Sequence, residues 1–351
     1  MDGLAESLRS SPELFPYALD VRNDVLSFVR LRQADYANAS FLDARLLALR
    51  TISSTIAWRQ AAASIQAANL LERCGFIFHI GHVGSTLLSR LIGAHPGIFS
   101  LREPILLRTF AQVRMEPATS APVWSSADFE SRLTACLKLF SRTYDENQAA
   151  IVKATSYVSE LAAELVARAS APKAVMMWVS AESYLATIFG GSNSRQEAKI
   201  LTPGRVQRLH RRIGRHVWRA DSLSEGEALA LGWACEMSGL AQAANERTLR
   251  IDFDRFLLDP RPPLLAALRH FGVDAASSEI ETILAGPDMS RYSKAPEYAY
   301  DAALRSEVLD SARAIHGAEI RKGLVWLERA AAEFAPVRNA MTFAETSMPS
   351  S

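Results

Sequence analysis

The stretch GFIFHIGHVGSTLLSRLIGAHPGIFSLREP, residues 75–104, joins an apolar run, a glycine turn and a helical pattern. The apolar run predicts a strand over 76–80, and the leucine and isoleucine spacing predicts a helix over 85–93. Gly81 and Gly84 lie in the turn between them, where they let the backbone approach a ligand closely. Such a turn directs backbone N–H groups and the positive end of a helix dipole to one position, which suits a phosphate. A tight connection with a capping serine is the alternative.

Four more short apolar runs follow along the chain, and amphipathic helical patterns separate them. The runs lie at 98–101, 150–154, 174–179 and 248–253. Short apolar strands that alternate with helices indicate a parallel sheet with helices on both faces. The sequence therefore predicts an α/β fold of the P-loop type, over residues 71–335.

The two ends of the chain do not show this alternation of apolar runs and helical patterns. Residues 1–70 are predicted to form an appended, mainly helical segment, with a strand pair around 17–21 and 25–31 and a helical pattern over 41–71. Residues 336–351 are predicted to form a flexible tail. Another helix is predicted to begin at Thr202, with Pro203 in its first turn.

Composition excludes several classes of protein. In 351 residues, 39 Lys and Arg stand against 38 Asp and Glu, so no basic excess favours a nucleic-acid partner. Three widely spaced cysteines fit neither a disulfide framework nor paired zinc ligands. The polar start is unlike a secretory signal, and the apolar window 228–244 contains a glutamate, so we expect a cytoplasmic protein without membrane insertion. A homo-oligomer is compatible with the sequence.

The glycine turn departs from an ATP or GTP loop. That loop needs a Lys before its Ser or Thr and a Gly five residues before the second Gly. His79 and Ser85 stand at those two positions. A nucleotide-dependent phosphoryl transferase is therefore a second hypothesis only.

Residues 75–104 resemble the start of the P-loop sulfotransferases, particularly bacterial members, in which a strand leads into an Arg-Ser-Gly-Thr-Thr loop, a Leu-Leu pair and a His-Pro turn. Segments 150–161, 249–274 and 289–301 resemble later parts of that family in the same order. The resemblance implies transfer of a sulfuryl group from 3′-phosphoadenosine 5′-phosphosulfate to a hydroxyl or amine of a small-molecule or peptide acceptor, with no metal. It implies cofactor contacts at ten positions: Gly81, His82, Val83, Gly84, Ser85, Thr86, Leu87, Thr187, Arg291 and Lys294.

Two departures from the family pattern affect the charge of the site. His82 stands where the family carries Lys or Arg, and residues 179–181 replace an Arg-Asp-Pro element. Thr187 is the replacement for the family's phosphate-binding Ser, and Arg291 and Lys294 are either 3′-phosphate ligands or solvated loop charges. A non-catalytic nucleotide-binding or scaffold protein with this fold is therefore a third hypothesis.

Three residues are candidates for catalysis. Glu103 follows the second predicted strand, where ligand crevices form, and is either the base for the acceptor proton or one half of an ion pair with Arg102. Lys153 lies in an apolar strand and needs a partner, either the sulfate or a structural carboxylate. His82 either donates to the transferring group or only fills space.

Six arginines fall between Arg205 and Arg219 on a predicted helix. A solvated basic face is the default interpretation of this pattern. An acidic acceptor surface or a subunit contact beside the site is the alternative.

Overall fold

The computed structural model describes residues 2–48, 50–116, 122–295 and 297–346. Eight strands form two sheets. They are β1 (Leu14–Asp20), β2 (Val25–Arg30), β3 (Ile52–Ala57), β4 (Gly75–His79), β5 (Ile98–Arg102), β6 (Ala149–Lys153), β7 (Ala174–Trp178) and β8 (Thr248–Asp252).

The larger sheet is parallel throughout and has the order β5-β6-β4-β7-β8. All five of its strands lie where the apolar runs predicted them, and the predicted P-loop-type α/β class is confirmed. The strand before the glycine turn, β4, lies in the centre of the sheet. Of the strands that follow it in the chain, β5 and β6 lie on one side of it and β7 and β8 on the other. A ligand crevice is expected at such a switch point, outside the carboxyl ends of the strands.

Helices flank this sheet and follow its strands. The α-helices are α1 (Asp2–Ser10), α2 (Gln33–Asn38), α3 (Trp58–Ala67), α4 (Ser85–Gly93), α5 (Ile105–Arg114), α6 (Ser126–Phe140), α7 (Ala162–Val166), α8 (Ala181–Phe189), α9 (Ser192–Ile213), α10 (Glu225–Ala243), α11 (Phe253–Leu258), α12 (Arg261–His270), α13 (Ser277–Leu284), α14 (Ala302–Glu333) and α15 (Ala335–Glu345). Short 3-10 turns lie at Ala44–Ala48, Ser156–Leu161, Ala220–Ser222 and Pro287–Ser290. Of the described helices, none is both long and apolar enough to cross a bilayer.

The N-terminal segment is built around a sheet and is not mainly helical. The predicted strand pair is confirmed as antiparallel β1 and β2, and β3 pairs with β2 on its other side. The helix predicted over 41–71 is therefore wrong in its first half, because residues 52–57 are extended and only residues 58–67 are helical.

The segment is tied to the parallel sheet by Arg102, the last residue of β5. Its guanidinium donates to the carbonyl oxygens of Ala39 at 2.7 Å and Ala37 at 2.8 Å, and its own carbonyl accepts from Leu42 N at 2.7 Å. The side chain is 3% exposed, so these backbone acceptors replace the water it has lost. The chain from residue 39 to 42 is thereby placed beside Glu103.

Two further predictions are corrected. The tail expected from residue 336 is a helix through Glu345, because Val337, Ala340 and Phe343 are buried and Phe343 packs against Trp178 at 4.9 Å between ring centroids; residues 347–351 lie outside the described residues. The helix expected to begin at Thr202 begins at Ser192 and passes through Pro203. Pro203 is exposed, and so is Lys199, whose carbonyl the missing N–H leaves unpaired, so water can satisfy that carbonyl.

Candidate functional site

The glycine turn leaves β4 in a left-handed conformation. Gly81, His82 and Gly84 have φ values of 86°, 55° and 63°. His79 holds the turn to the sheet, since its Nδ1 accepts from Gly81 N at 2.9 Å and its Nε2 pairs with the Ala154 carbonyl at 2.8 Å. Burial lowers the pKa of His79 well below its ordinary value, so the ring is neutral and its Nε2 carries the proton. His79 therefore has a structural role in shaping the loop.

The first turn of α4 presents unpaired polar groups. Gly84 is the residue before the helix, and a Cβ atom there would overlap the ring of Phe253, so only glycine fits. The Thr86 hydroxyl is buried and has no hydrogen-bond partner among the described residues. The first N–H groups of a helix also lack intrahelical acceptors. Together they form a site that an anionic oxygen would complete.

Two cavities meet at this loop. The first, which we call the loop cavity, has a volume of about 590 Å³. The second, the Glu103 cavity, has a volume of about 500 Å³. Three residues line both of them: His79, His82 and Lys294.

The loop cavity brings together nine of the ten positions predicted to contact a cofactor: His82, Val83, Gly84, Ser85, Thr86, Leu87, Thr187, Arg291 and Lys294. Gly81 lines the Glu103 cavity instead. The Thr187 hydroxyl donates to the Ser183 carbonyl at 2.7 Å, so its oxygen is left as an acceptor rather than as a free donor. The side chains of Phe253, Tyr292 and Tyr300 supply apolar and aromatic surface to the same cavity.

Arg305 is a cation of the loop cavity that the sequence did not reveal. It is 8% exposed, and its Nη2 lies 2.7 Å from Asp254 Oδ1. Its guanidinium also stacks over the Phe253 ring, 5.3 Å from the centroid. Arg305 comes from the start of α14, more than 200 residues after the loop, and only the fold brings the two together.

Glu103 and Lys153 form a buried ion pair at the ends of neighbouring strands. Lys153 is fully buried and lines neither cavity, whereas Glu103 lines the cavity named after it. Burial lowers the pKa of Lys153 to about 8, although the Glu103 carboxylate opposes that shift. Of the two partners considered for Lys153, the structure places the carboxylate beside it, and direct contact of Lys153 with a ligand is a prediction that the geometry does not support.

His82 faces Glu197, with Nε2 and Oε2 3.7 Å apart. Burial nevertheless lowers the pKa of His82 below its ordinary value, and the nearby Lys294 contributes to the shift. The ring is therefore neutral at pH 7 and supplies an N–H donor rather than a positive charge.

Lys294 stands where the two cavities join and makes no ion pair with any described residue. Its position is set by the segment 291–299, in which Arg291 and Ala299 form an antiparallel bridge. Arg90 lies on α4, the helix that begins at the end of the loop, and its Nε donates to the Ser293 carbonyl at 2.9 Å. The segment that carries Lys294 is thus held next to the loop by that loop's own helix.

Of the six arginines predicted to form a solvated face, Arg205 and Arg208 are buried and Arg212 is partly buried. Arg205 and Arg208 share the Glu236 carboxylate, at 3.3 and 2.6 Å, and Arg212 pairs with Glu160. The solvated-face prediction is wrong for these three, because both carboxylates come from other helical segments that cover the arginine face. Arg205 and Arg208 line the Glu103 cavity.

Among residues 2–48, 50–116, 122–295 and 297–346, no group of three His, Cys, Asp or Glu side chains is arranged to hold a metal ion. Neither a scan against protein-family models nor a search of curated proteins gives a match.

Solved structures do give matches. The sulfotransferase domain from the Synechococcus PCC 7002 olefin synthase is 17% identical, with a TM-score of 0.39 over 79% of this chain and 96% of that one. The sulfotransferase domain from the curacin biosynthetic pathway is 14% identical, with a TM-score of 0.39 over 80% and 100%. The sulfotransferase from Alicyclobacillus acidocaldarius is 14% identical, with a TM-score of 0.39 over 79% and 98%. Likeness at this level assigns no activity, donor or acceptor to the chain.

Proposed function

We propose that this chain is a sulfotransferase that moves a sulfuryl group from 3′-phosphoadenosine 5′-phosphosulfate to a hydroxyl or amine. The observation that carries the proposal is the meeting of two cavities at one anion-binding loop. One cavity holds the loop, its helix N-terminus and a set of cations, and the other holds a carboxylate. A donor and an acceptor bound on opposite sides of residues 81–84 would have their reacting groups adjacent.

The loop cavity fits the donor. The unpaired Thr86 hydroxyl and the free N–H groups at the start of α4 suit the phosphosulfate oxygens. Arg291 and Arg305 supply positive charge further along the cavity, in place of the Arg-Asp-Pro element that the sequence lacks. Phe253 and the tyrosines offer an apolar and aromatic surface to a purine base.

The reaction exchanges one bond to sulfur for another. The donor supplies the sulfuryl group, whose sulfur bonds to the acceptor oxygen or nitrogen as its bond to the 5′-phosphate oxygen breaks. Glu103 takes the proton that the acceptor loses, since it is the carboxylate that lies at a strand end and opens on the acceptor side. Lys153 is a positioning residue, because it holds the Glu103 carboxylate from behind without touching the cavity.

Lys294 supplies the charge that His82 does not. A neutral imidazole can donate a hydrogen bond but cannot offset the negative charge that develops on the leaving oxygen. The Lys294 ammonium reaches both cavities and has no carboxylate partner among the described residues. The cation of the reaction therefore comes from the segment 291–299 and not from the loop.

Calorimetric titration with adenosine 3′,5′-bisphosphate, run beside ATP, tests the proposal. We expect micromolar binding of the bisphosphate, weaker binding of ATP, and at least about a tenfold loss of bisphosphate affinity in Lys294→Ala, since a hydrogen bond to a charged group contributes 1.5–3 kcal/mol. Lys173→Ala is the matched control, because Lys173 is exposed and lines neither cavity.

The outcomes separate the three hypotheses. Failure to bind the bisphosphate would refute a sulfotransferase donor site, and tighter binding of ATP would favour the phosphoryl transferase. Bisphosphate binding without transfer of labelled sulfuryl to any acceptor would favour a non-catalytic protein.

A further inference from the structure

The carboxylates of the Glu103 cavity are nearly all committed to partners. Asp43 pairs with Arg45, Glu103 pairs with Lys153, and Glu236 is shared by two arginines. Glu197 is the remaining acid that lines the cavity; it lies at the rim with its side chain 61% exposed and faces the neutral His82. The deep part of this cavity therefore has no free negative charge among the described residues.

Positive charge, in contrast, is in excess. Among the described residues, Arg205, Arg208 and Arg212 share two carboxylates, Glu160 and Glu236, so one positive charge of this largely buried cluster is left over. A buried charge without a partner is costly. An anion in the cavity would offset this charge at short range and in a low dielectric.

Arg108 adds a further cation at the mouth of the same cavity. It is exposed, lines only the Glu103 cavity, and forms no ion pair with a described residue. Its guanidinium lies 6.0 Å from the centroid of the Tyr157 ring, and that of Arg208 lies 5.1 Å from the same centroid. Tyr157 thus links the exposed cation to the buried ones, and the three side chains form one basic wall.

The rest of the lining limits the size and character of an occupant. The side chains of Phe41, Ile105, Ile188 and Leu201 give the cavity apolar surface. Its volume of about 500 Å³ is in the range of small-molecule sites. A compact molecule with an apolar body and one anionic end matches this combination.

We propose that the acceptor is a small hydroxylated carboxylic acid whose carboxylate binds at the basic wall formed by Arg108, Tyr157 and Arg208. This inference rests on the proposed function, since it names the substrate class of the same site. The planar guanidinium of Arg108 favours a carboxylate, which it can bind through two parallel hydrogen bonds. The apolar body would lie along Phe41 and Ile105, with the acceptor hydroxyl directed toward Glu103.

Matched pairs of probes test the substrate class on the full chain. We would measure by calorimetry the binding of 4-hydroxybenzoate, 3-hydroxybenzoate and 3-(4-hydroxyphenyl)propionate, each beside its neutral carboxamide. We expect at least one acid to bind about tenfold or more tightly than its amide, and that preference to disappear in Arg108→Met. Arg211→Met is the control. Arg211 donates to the carbonyl of Met115, just after the helix that carries Arg108, but it lines neither cavity.

Equal binding of all three acids and their amides, or no binding of any, would overturn the inference. A preference for acids that persists in Arg108→Met would overturn the assignment to the basic wall, and inorganic sulfate that competes as well as the acids would overturn the choice of a carboxylate. Titration with adenosine 3′,5′-bisphosphate in the same variants separates this inference from the proposed function. Absence of acid preference in the native protein with intact bisphosphate binding refutes only the substrate class, whereas acid preference in the native protein without bisphosphate binding refutes the sulfotransferase proposal.

Discussion

Replacement of Glu103 by glutamine should make the stability of the protein depend on pH in a direction set by Lys153. The ammonium is fully buried, and burial already lowers its pKa to about 8 from an ordinary value near 10.5, with the Glu103 carboxylate opposing the fall. In Glu103→Gln that opposition is lost, so the pKa falls further. A larger share of the folded variant then holds a neutral amine at pH 7, while the unfolded chain holds an ammonium.

The size of the destabilisation in Glu103→Gln follows from the proton that Lys153 must release when the variant folds. One pH unit corresponds to about 1.4 kcal/mol, so the interval from pH 7 to the ordinary pKa sets an upper limit of about 5 kcal/mol on the destabilisation at pH 7. Between pH 7 and 8 the unfolded variant binds up to one more proton than the folded variant. Its free energy of unfolding therefore rises by up to about 1.4 kcal/mol over that unit, whereas the rise is smaller in the native protein, in which Lys153 has a pKa of about 8 and keeps most of its proton over most of this interval.

Urea denaturation at pH 7.0, 7.5 and 8.0 measures this difference, and Lys153→Met provides the contrast. That variant leaves the Glu103 carboxylate largely buried without its partner, at a cost of about 3–5 kcal/mol, and it has no amine to deprotonate. Its deficit should not shrink as pH rises. A Glu103→Gln deficit that stays constant or grows from pH 7 to 8 would show that Lys153 does not lose its proton more readily in this variant.

Two further predictions concern the loop. Gly84→Ala should lower the free energy of unfolding by about 1–3 kcal/mol more than Gly214→Ala, because both residues have positive φ but only at Gly84 would a Cβ overlap the ring of Phe253; equal losses in thermal or urea unfolding would contradict this. His82→Gln should keep bisphosphate affinity within about threefold at pH 7.5, since burial lowers the pKa of His82 and the glutamine keeps a neutral donor. A loss of tenfold or more by calorimetry would instead show that the ring binds as a cation.

The parallel sheet could be predicted from the sequence because its strands are short apolar runs, three of which, β4, β5 and β7, are buried along their whole length. Strand β3 could not be predicted in the same way. Its residues at 52–57 are largely exposed, so burial imposes no strict alternation on them, and they follow an apolar stretch that suggests a helix. Strand pairing with β2, a tertiary feature, decides their conformation.

The site was predictable where it depends on local sequence and unpredictable where it depends on charge partners. Residues 82–87 line one cavity together because they are contiguous, and the turn geometry follows from the glycines. The burial of Arg205 and Arg208 depends on acids from two other segments, and the partner of Lys153 depends on which strand lies beside it. No spacing within the arginine run carries that information.

The hydrogen bonds between Arg102 and the main chain of the neighbouring segment form a clamp, which affects how the selectivity of the Glu103 cavity can change. The clamp fixes residues 36–42 by their main-chain oxygens and nitrogens, so it is indifferent to the side chains that the segment carries. Phe41 belongs to that segment, and its side chain lines the Glu103 cavity. It can therefore be exchanged without loss of the clamp. One side chain outside the sheet, Phe41, thus works as a replaceable part of the cavity wall, so its substitution would change which molecules fit while the loop and its helix stay the same.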